Sequence, residues 1–216
     1  MSDLRDRRWA RPRRDDRDSR PRQLVGKFSW PPEPTLELVG EFVTLSRYQS
    51  SDGPALSAAL ADERVWAHIP TQIPTANEWD AFAAKGSSGG RWMWVARLNV
   101  ERAGLGAGTV VGTTSFYDVS LDDAHLSIGY TMFRPEVQGD VVNAEAKLLM
   151  LRYAFVDREL ARVEFRVDAN NATSRAAVLS LGATQEGILR SHMRRRDGSL
   201  RDSVIFSILA PDWPAA

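Results

Sequence analysis

The segment that most limits how this chain can fold is residues 135–155, P-E-V-Q-G-D-V-V-N-A-E-A-K-L-L-M-L-R-Y-A-F. Just upstream, residues 124–133 alternate with the two-residue period of a strand, placing Leu126, Ile128, Tyr130 and Met132 on one face. Downstream, Ala144, Leu148, Leu151 and Phe155 recur at helical spacing and predict a helix starting near Asn143 that buries this stripe. The joint between the two is a short turn through Gly139. The first amides of a helix lack intrahelical acceptors and carry partial positive charge, so such a joint is a candidate anion site. It is not a P-loop, because no Gly-Lys-Ser/Thr follows, and it lacks the three spaced glycines of a dinucleotide fingerprint. Its plain alternative is chain punctuation.

The rest of the chain confines the setting. At 216 residues it can fill one domain of ordinary size with a full core. Its 28 basic and 28 acidic residues cancel, which removes any whole-chain electrostatic case for nucleic acid. With no cysteine there can be no disulfide, thiolate metal site or cysteine nucleophile, and a cytoplasmic setting is expected. No apolar run approaches the roughly 18 residues of a membrane span, so no membrane partner is expected.

Residues 1–22 hold nine arginines against five aspartates and almost no aliphatic side chains. Such a segment cannot offset its ordering entropy, so it is read as a flexible arm. The arm is either a solvated tail or a contact to RNA, a ribosome or an acidic partner. Pro31, Pro32 and Pro34 then make a stiff linker, which divides the chain into an arm and linker, 1–34, and a domain, 35–216. Within the domain we expect a strand pair kinked at Gly40, a helix from Asp52, a second helix capped by Asn77, and a meander of three strands over 91–133. After the helix at 143 come a strand at 162–167, a helix at 171–181 and a hairpin turning at Asp197-Gly198. That order is α+β, or mixed α/β, with one helix crossing between two strands.

Several motifs in this order carry a resemblance. I-G-Y (128–130), Q-G-D-V-V-N-A-E-A (138–146) and R-Y-A-F (152–155) resemble the GNAT superfamily of acyl-CoA-dependent N-acetyltransferases. R-V-E-F (162–165), N-A-T-S-R-A-A (171–177), L-G-A-T-Q-E-G-I-L-R (181–190) and D-G-S-L-R-D-S (197–203) are similar to its RimJ/RimL branch, the ribosomal-protein acetyltransferase type. The resemblance implies the GNAT fold, a mixed, mostly antiparallel sheet flanked by helices and splayed to admit acetyl-CoA as co-substrate, without a metal. It implies that the strand over 126–133, Tyr130 and Met132 among it, holds the pantetheine through its backbone. The pyrophosphate would rest on Gln138, Gly139, Asp140, Val141, Val142 and Asn143. Asn171 and Ser174 match the family's N-x-x-S, where the asparagine contacts the cofactor and the serine can protonate the departing thiolate. The departure lies in the loop itself: Val141 stands where a glycine is usual and Asn143 where a small residue is. Valine disfavours a positive φ, so either the loop uses ordinary helical φ at Val141 or cofactor binding suffers.

The acceptor implied is a primary amine, either a protein N-terminus or a small molecule such as an antibiotic. A degenerate module that binds CoA or a partner without turnover is the non-enzyme alternative. His192, on the last hairpin, is the candidate general base, since imidazole titrates near neutral pH; its bland alternative is a surface histidine. His68 is a second candidate on the acceptor side. Trp66 and Trp79 fall where this family lines its acceptor site, and Trp92 and Trp94 are read as core. Glu145 is expected to favour the helix dipole from the first turn. Both monomers and homodimers are compatible with the sequence.

Overall fold

The computed structural model describes residues 29–87 and 90–213. The Arg-rich arm lies outside them. Eight strands form one sheet in the order β1-β2-β3-β4-β5-β6-β8-β7. They are β1 (Glu37–Val39), β2 (Val43–Arg47), β3 (Trp92–Leu98), β4 (Val110–Ser120), β5 (His125–Phe133), β6 (Arg162–Asp168), β7 (Thr184–Arg194) and β8 (Leu200–Leu209). Every neighbouring pair is antiparallel except β5 and β6, which α3 (Val141–Arg152) joins as a crossover. This is the mixed α/β architecture the sequence implies.

Each face of the sheet has its own cover. On β3, Trp92, Trp94, Ala96 and Leu98 point into a core shared with α3, while Met93 and Val95 point into a second core under α1 (Gly53–Ala59) and α2 (Trp79–Ser87). A strand buried on both faces reads as a continuous apolar run, which is why 92–98 shows no polar alternation. The α3 face is an aromatic stack: Trp94 meets Phe116 at 5.8 Å between ring centroids, and Phe116 stacks on Tyr153 at 5.7 Å. Packing starts before the strands, for Trp30 lies edge-on to Trp92 at 6.3 Å and Pro32 is buried. The segment read as a linker therefore already rests on the domain.

Three local readings are corrected. First, α3 begins at Val141, two residues earlier than expected, with Asp140 as its N-cap. Its sheet-facing residues are Val142, Ala146, Lys147, Met150 and Leu151, whereas Leu148 is 47% exposed and Ala144 is exposed. The stripe is rotated because Val142, Ala146 and Met150, at i, i+4 and i+8, meet the sheet. Sequence periodicity favoured the leucines. Second, the helix cap expected at Asn77 is absent, and α2 starts at Trp79 after a turn in which Glu78 accepts from the Thr75 amide at 2.8 Å. Third, β5 does not keep one face. Thr113 pairs with Met132 and Ser115 with Gly129, so two residues of β4 oppose three of β5, and Tyr130 takes a φ of 51°. This bulge sends Leu126 and Ile128 to one core and Met132 to the other.

Candidate active site

β5 and β6 start side by side and then part. They pair at His125↔Arg162, Leu126↔Val163 and Ser127↔Glu164. Beyond those pairs β5 runs on to Phe133 and β6 to Asp168 without joining, among the described residues. The bulge at Tyr130 begins within three residues of the last pair, and the extra twist of a bulge turns a strand away from its neighbour. What results is a gap edged by unpaired backbone of β5, a set of donors and acceptors that an extended ligand can satisfy.

The glycine turn lies at the far end of β5. Gly139 has a φ of 77°, which its lack of a Cβ permits. Gln138 donates from Nε2 to the carbonyl of Phe133 at 2.8 Å, tying the turn to the strand. Val141 is not among the residues with positive φ, so the helix starts in ordinary geometry and needs no glycine there. Of the first-turn amides, that of Val141 donates to the Asp140 carboxylate, which leaves the later ones to face an anion. A carboxylate at that point would repel a phosphate, but Arg102 donates to it from Nε at 2.6 Å. Arg102, whose guanidinium also lies over the Phe42 ring, brings a cation to the loop that the sequence reading missed. Val142 and Met132 have side chains buried in the two cores, so only their backbones can meet a ligand. Among the described residues, Asn143 Oδ1 is buried with no hydrogen-bond partner.

On the other side of the gap, α4 (Ala172–Ser180) follows β6. Asn171 is its N-cap, with Oδ1 accepting from the Ser174 amide at 2.9 Å. That leaves the side-chain nitrogen Nδ2 of Asn171 to meet a ligand, its backbone amide donating to the Asp168 carbonyl at 2.8 Å. Ser174 is half-buried at the start of α4. His192, exposed on β7, has Nδ1 3.0 Å from Ser203 Oγ, and Ser203 also accepts from Arg201 Nε at 3.0 Å. For Nε2 to act as a base, Nδ1 must carry the proton and donate to Ser203. His68 is half-buried in the loop after a short helical turn at Glu63–Trp66.

The two tryptophans expected on the acceptor wall are not there. Trp66 is 0% and Trp79 1% exposed, with indole NH groups bound to the Leu60 carbonyl at 2.8 Å and to Ser57 Oγ at 2.7 Å. They pack on one another and on Phe82 as the centre of the core beneath α1 and α2. A ring buried on all sides and with its NH satisfied is structural. Beside this core, Arg91, Ser115, Tyr117 and Tyr130 form a polar and aromatic cluster in which Arg91 Nε donates to Ser115 Oγ at 2.9 Å. The Arg91 guanidinium lies 4.2 Å from the Tyr130 ring centroid and 4.5 Å from that of Phe82, and Tyr117 meets Tyr130 edge-on at 5.3 Å.

Two more polar groups were hidden in the sequence. Lys147 is 8% exposed, with Nζ bonded to Thr131 Oγ1 and 3.5 Å from Thr114 Oγ1; burial pushes its amine down to about 7. Glu145 does not serve its own helix end. Its carboxylate accepts the amides of Glu41, Phe42 and Val43 at 2.7, 2.8 and 2.8 Å, clamping the β1–β2 turn onto α3.

A sheet whose middle strands part at their carboxyl ends, beside a glycine turn opening a helix, defines a class of protein that takes an extended ligand with an anionic head edgewise between strands. The family model described as an acetyltransferase (GNAT) domain matches residues 43–184, and the chain belongs to that family. It is 30% identical over 104 residues to the uncharacterized N-acetyltransferase p20 of Bacillus licheniformis, a match covering 48% of this chain and 57% of that protein, so just over half of that relative's length is spanned. A GCN5-related N-acetyltransferase from Brucella melitensis superposes with a TM-score of 0.76 at 25% identity, covering 86% of this chain and 83% of that one. RimJ from Mycobacterium smegmatis, in complex with CoA-disulfide, shares the fold at a TM-score of 0.69 and 20% identity over 81% of this chain and 85% of that one. Among the described residues no helix is long and apolar enough to cross a membrane, and no group of three or more His, Cys, Asp or Glu could hold a metal ion.

Proposed function

We propose that this protein transfers an acetyl group from acetyl-CoA to a primary amine by direct attack in a ternary complex. The observation that carries the reading is the parting of β5 from β6 next to the bulge at Tyr130, which leaves a strand edge open to a pantetheine arm. The chain's residues fit the donor. Free backbone on β5 suits the amides of the arm, the first-turn amides of α3 with Arg102 suit the pyrophosphate, and the unpartnered Asn143 Oδ1 has an acceptor to offer.

When bound, acetyl-CoA supplies an acyl carbon activated as a thioester. Backbone NH groups on the β5 edge are placed to polarise a carbonyl, fixed dipoles that need no reorganisation. His192 takes a proton from the incoming ammonium at Nε2, with Nδ1–H held by Ser203. The amine nitrogen then bonds to the acyl carbon, the carbon–sulfur bond breaks, and the Ser174 hydroxyl gives its proton to the thiolate while taking the second proton that the nitrogen sheds; His192 releases the first to solvent. Holding both reactants in one gap supplies much of the rate.

Resemblance to the RimJ/RimL branch supports a protein N-terminal amine as acceptor, and a cytoplasmic site of action goes with it. A thiol-release assay with acetyl-CoA against small amines and peptide N-termini tests the reading. We expect turnover with at least one class and a thermal shift with acetyl-CoA. No turnover with any acceptor together with no shift would mean that the chain is not an acetyltransferase.

A further inference from the structure

Arginines near the gap are for the most part paired. Arg166 meets Asp118 at 2.6 Å and Glu164 at 2.7 Å, Arg162 meets Glu164 and Glu186, and Arg195 holds Asp168. Arg91 and Arg201 are the contrast. They are 7% and 6% exposed, and neither has a carboxylate within 4 Å among the described residues. Each spends its Nε on one serine hydroxyl, Arg91 on Ser115 at 2.9 Å and Arg201 on Ser203 at 3.0 Å. Among the described residues, Arg91 Nη2 is buried with no hydrogen-bond partner.

A guanidinium is costly to bury without an anion, and it does not lose its proton at ordinary pH. Burial pushes both groups down, Arg91 to about 10, which still leaves it cationic. The two lie on opposite sides of the parted strands. Arg91 precedes β3 and stacks on Tyr130 of β5, and Arg201 stands on β8 just past the end of β6, sharing the Ser203 hydroxyl with His192; Asp168, whose charge acts on Arg201 most, already has both oxygens held by Arg195. Both are on the face away from α3, so the first-turn amides of that helix lie on the other side of the sheet. The anion they await is therefore not the donor's pyrophosphate.

We propose that Arg91 and Arg201 bind a carboxylate carried by the acceptor close to its reacting amine, making this an acetyltransferase for acidic amines. The inference rests on the transfer reading above. A planar carboxylate matches the guanidinium fork, and the Tyr130 ring covers one face of the Arg91 guanidinium. The carboxylate is either the α-carboxylate of a free amino acid or the side chain of an acidic residue next to a peptide N-terminus.

Three acceptor pairs separate these sources in the full-length protein: an amino acid against its amide, a peptide beginning Ala-Asp against one beginning Ala-Asn, and the same two peptides with blocked carboxyl ends. The acid member of at least one pair should be favoured about 100-fold in kcat/KM, the loss expected when a buried charged group is left unpaired. A tryptophan-fluorescence titration with the acid and the amide, without turnover, should show the same order of affinity. In Arg91→Met and Arg201→Gln the ratio should collapse towards one through KM, and Arg91→Lys should fall between. Equal rates and equal binding of acid and neutral members by the wild-type protein would overturn the assignment and leave acetyl transfer standing. No turnover of any acceptor and no binding of the acids would overturn both.

Discussion

Replacing Lys147 by Met should stabilise the protein by an amount that depends on pH. The lysine side chain lies between α3 and the sheet, its amine met, among the described residues, only by the hydroxyls of Thr131 and Thr114. Burial lowers the amine from its usual 10.5 to about 7. Below about pH 7 the amine is protonated in both folded and unfolded chains, and the folded state bears the full desolvation cost. Between about 7 and 10.5 the unfolded chain binds a proton that the folded one does not, so wild-type stability rises with pH by about 1.4 kcal/mol per unit. The interval of 10.5 − 7 corresponds to on the order of 5 kcal/mol. Methionine fills nearly the same volume and carries no charge, and Thr114 and Thr131 keep their bond to each other at 2.8 Å. Urea denaturation of both proteins between about pH 6 and pH 10 reads the difference. The variant should lead most at the acid end, with the gap closing as pH rises. A gap constant to within about 1 kcal/mol across that range would refute the reasoning.

Glu145→Ala should cost about 2–3 kcal/mol, because three backbone amides lose a charged acceptor. Gly40→Ala should cost nearly as much by pushing the same carboxylate aside, since a Cβ there would lie 2.5 Å from Glu145 Cδ; the double variant should be no worse than either, and additive losses would exclude the clamp. Val141→Gly should leave the acetyl-CoA dissociation constant within about twofold by calorimetry, because Val141 has no positive φ to relieve; markedly tighter binding would show that the valine crowds the phosphates. Arg102→Ala should weaken acetyl-CoA by about fivefold and leave the temperature of unfolding without ligand nearly unchanged, and unaltered affinity would remove Arg102 from the loop's role.

Much of the frame was legible because it is written in local periods. The apolar run at 92–98, the two-residue period at 124–133, the Gly139 turn and the Asp197-Gly198 hairpin all mark elements that formed close to where they were read. The misreadings share a cause. A one-residue bulge at Tyr130 changes which face every later residue of β5 takes, and nothing in I-G-Y-T-M-F announces it. The helical stripe held at Leu151 and Phe155 and missed at Ala144 and Leu148, because Lys147, a residue type that seldom lies inside, occupies a sheet-facing position. Trp66 and Trp79 were placed by family likeness, and only their satisfied indoles and closed surroundings reveal core. Arg91 and Arg201 could not be singled out from a chain with so many arginines, for what distinguishes them is the absence of a carboxylate partner among the described residues.

The clamp made by Glu145 also bears on the order of folding. It joins the β1–β2 turn to a residue more than 100 positions later, the amide of Glu41 being 104 residues away. As the chain leaves the ribosome, β1 and β2 are made first but their turn stays unlocked until α3 has emerged. Closing so long a loop is slow and is rewarded only at the end. A nascent chain arrested before Glu145 should therefore hold its first hairpin loosely, and release past that point should protect the amides of Glu41, Phe42 and Val43 from hydrogen exchange in a single step.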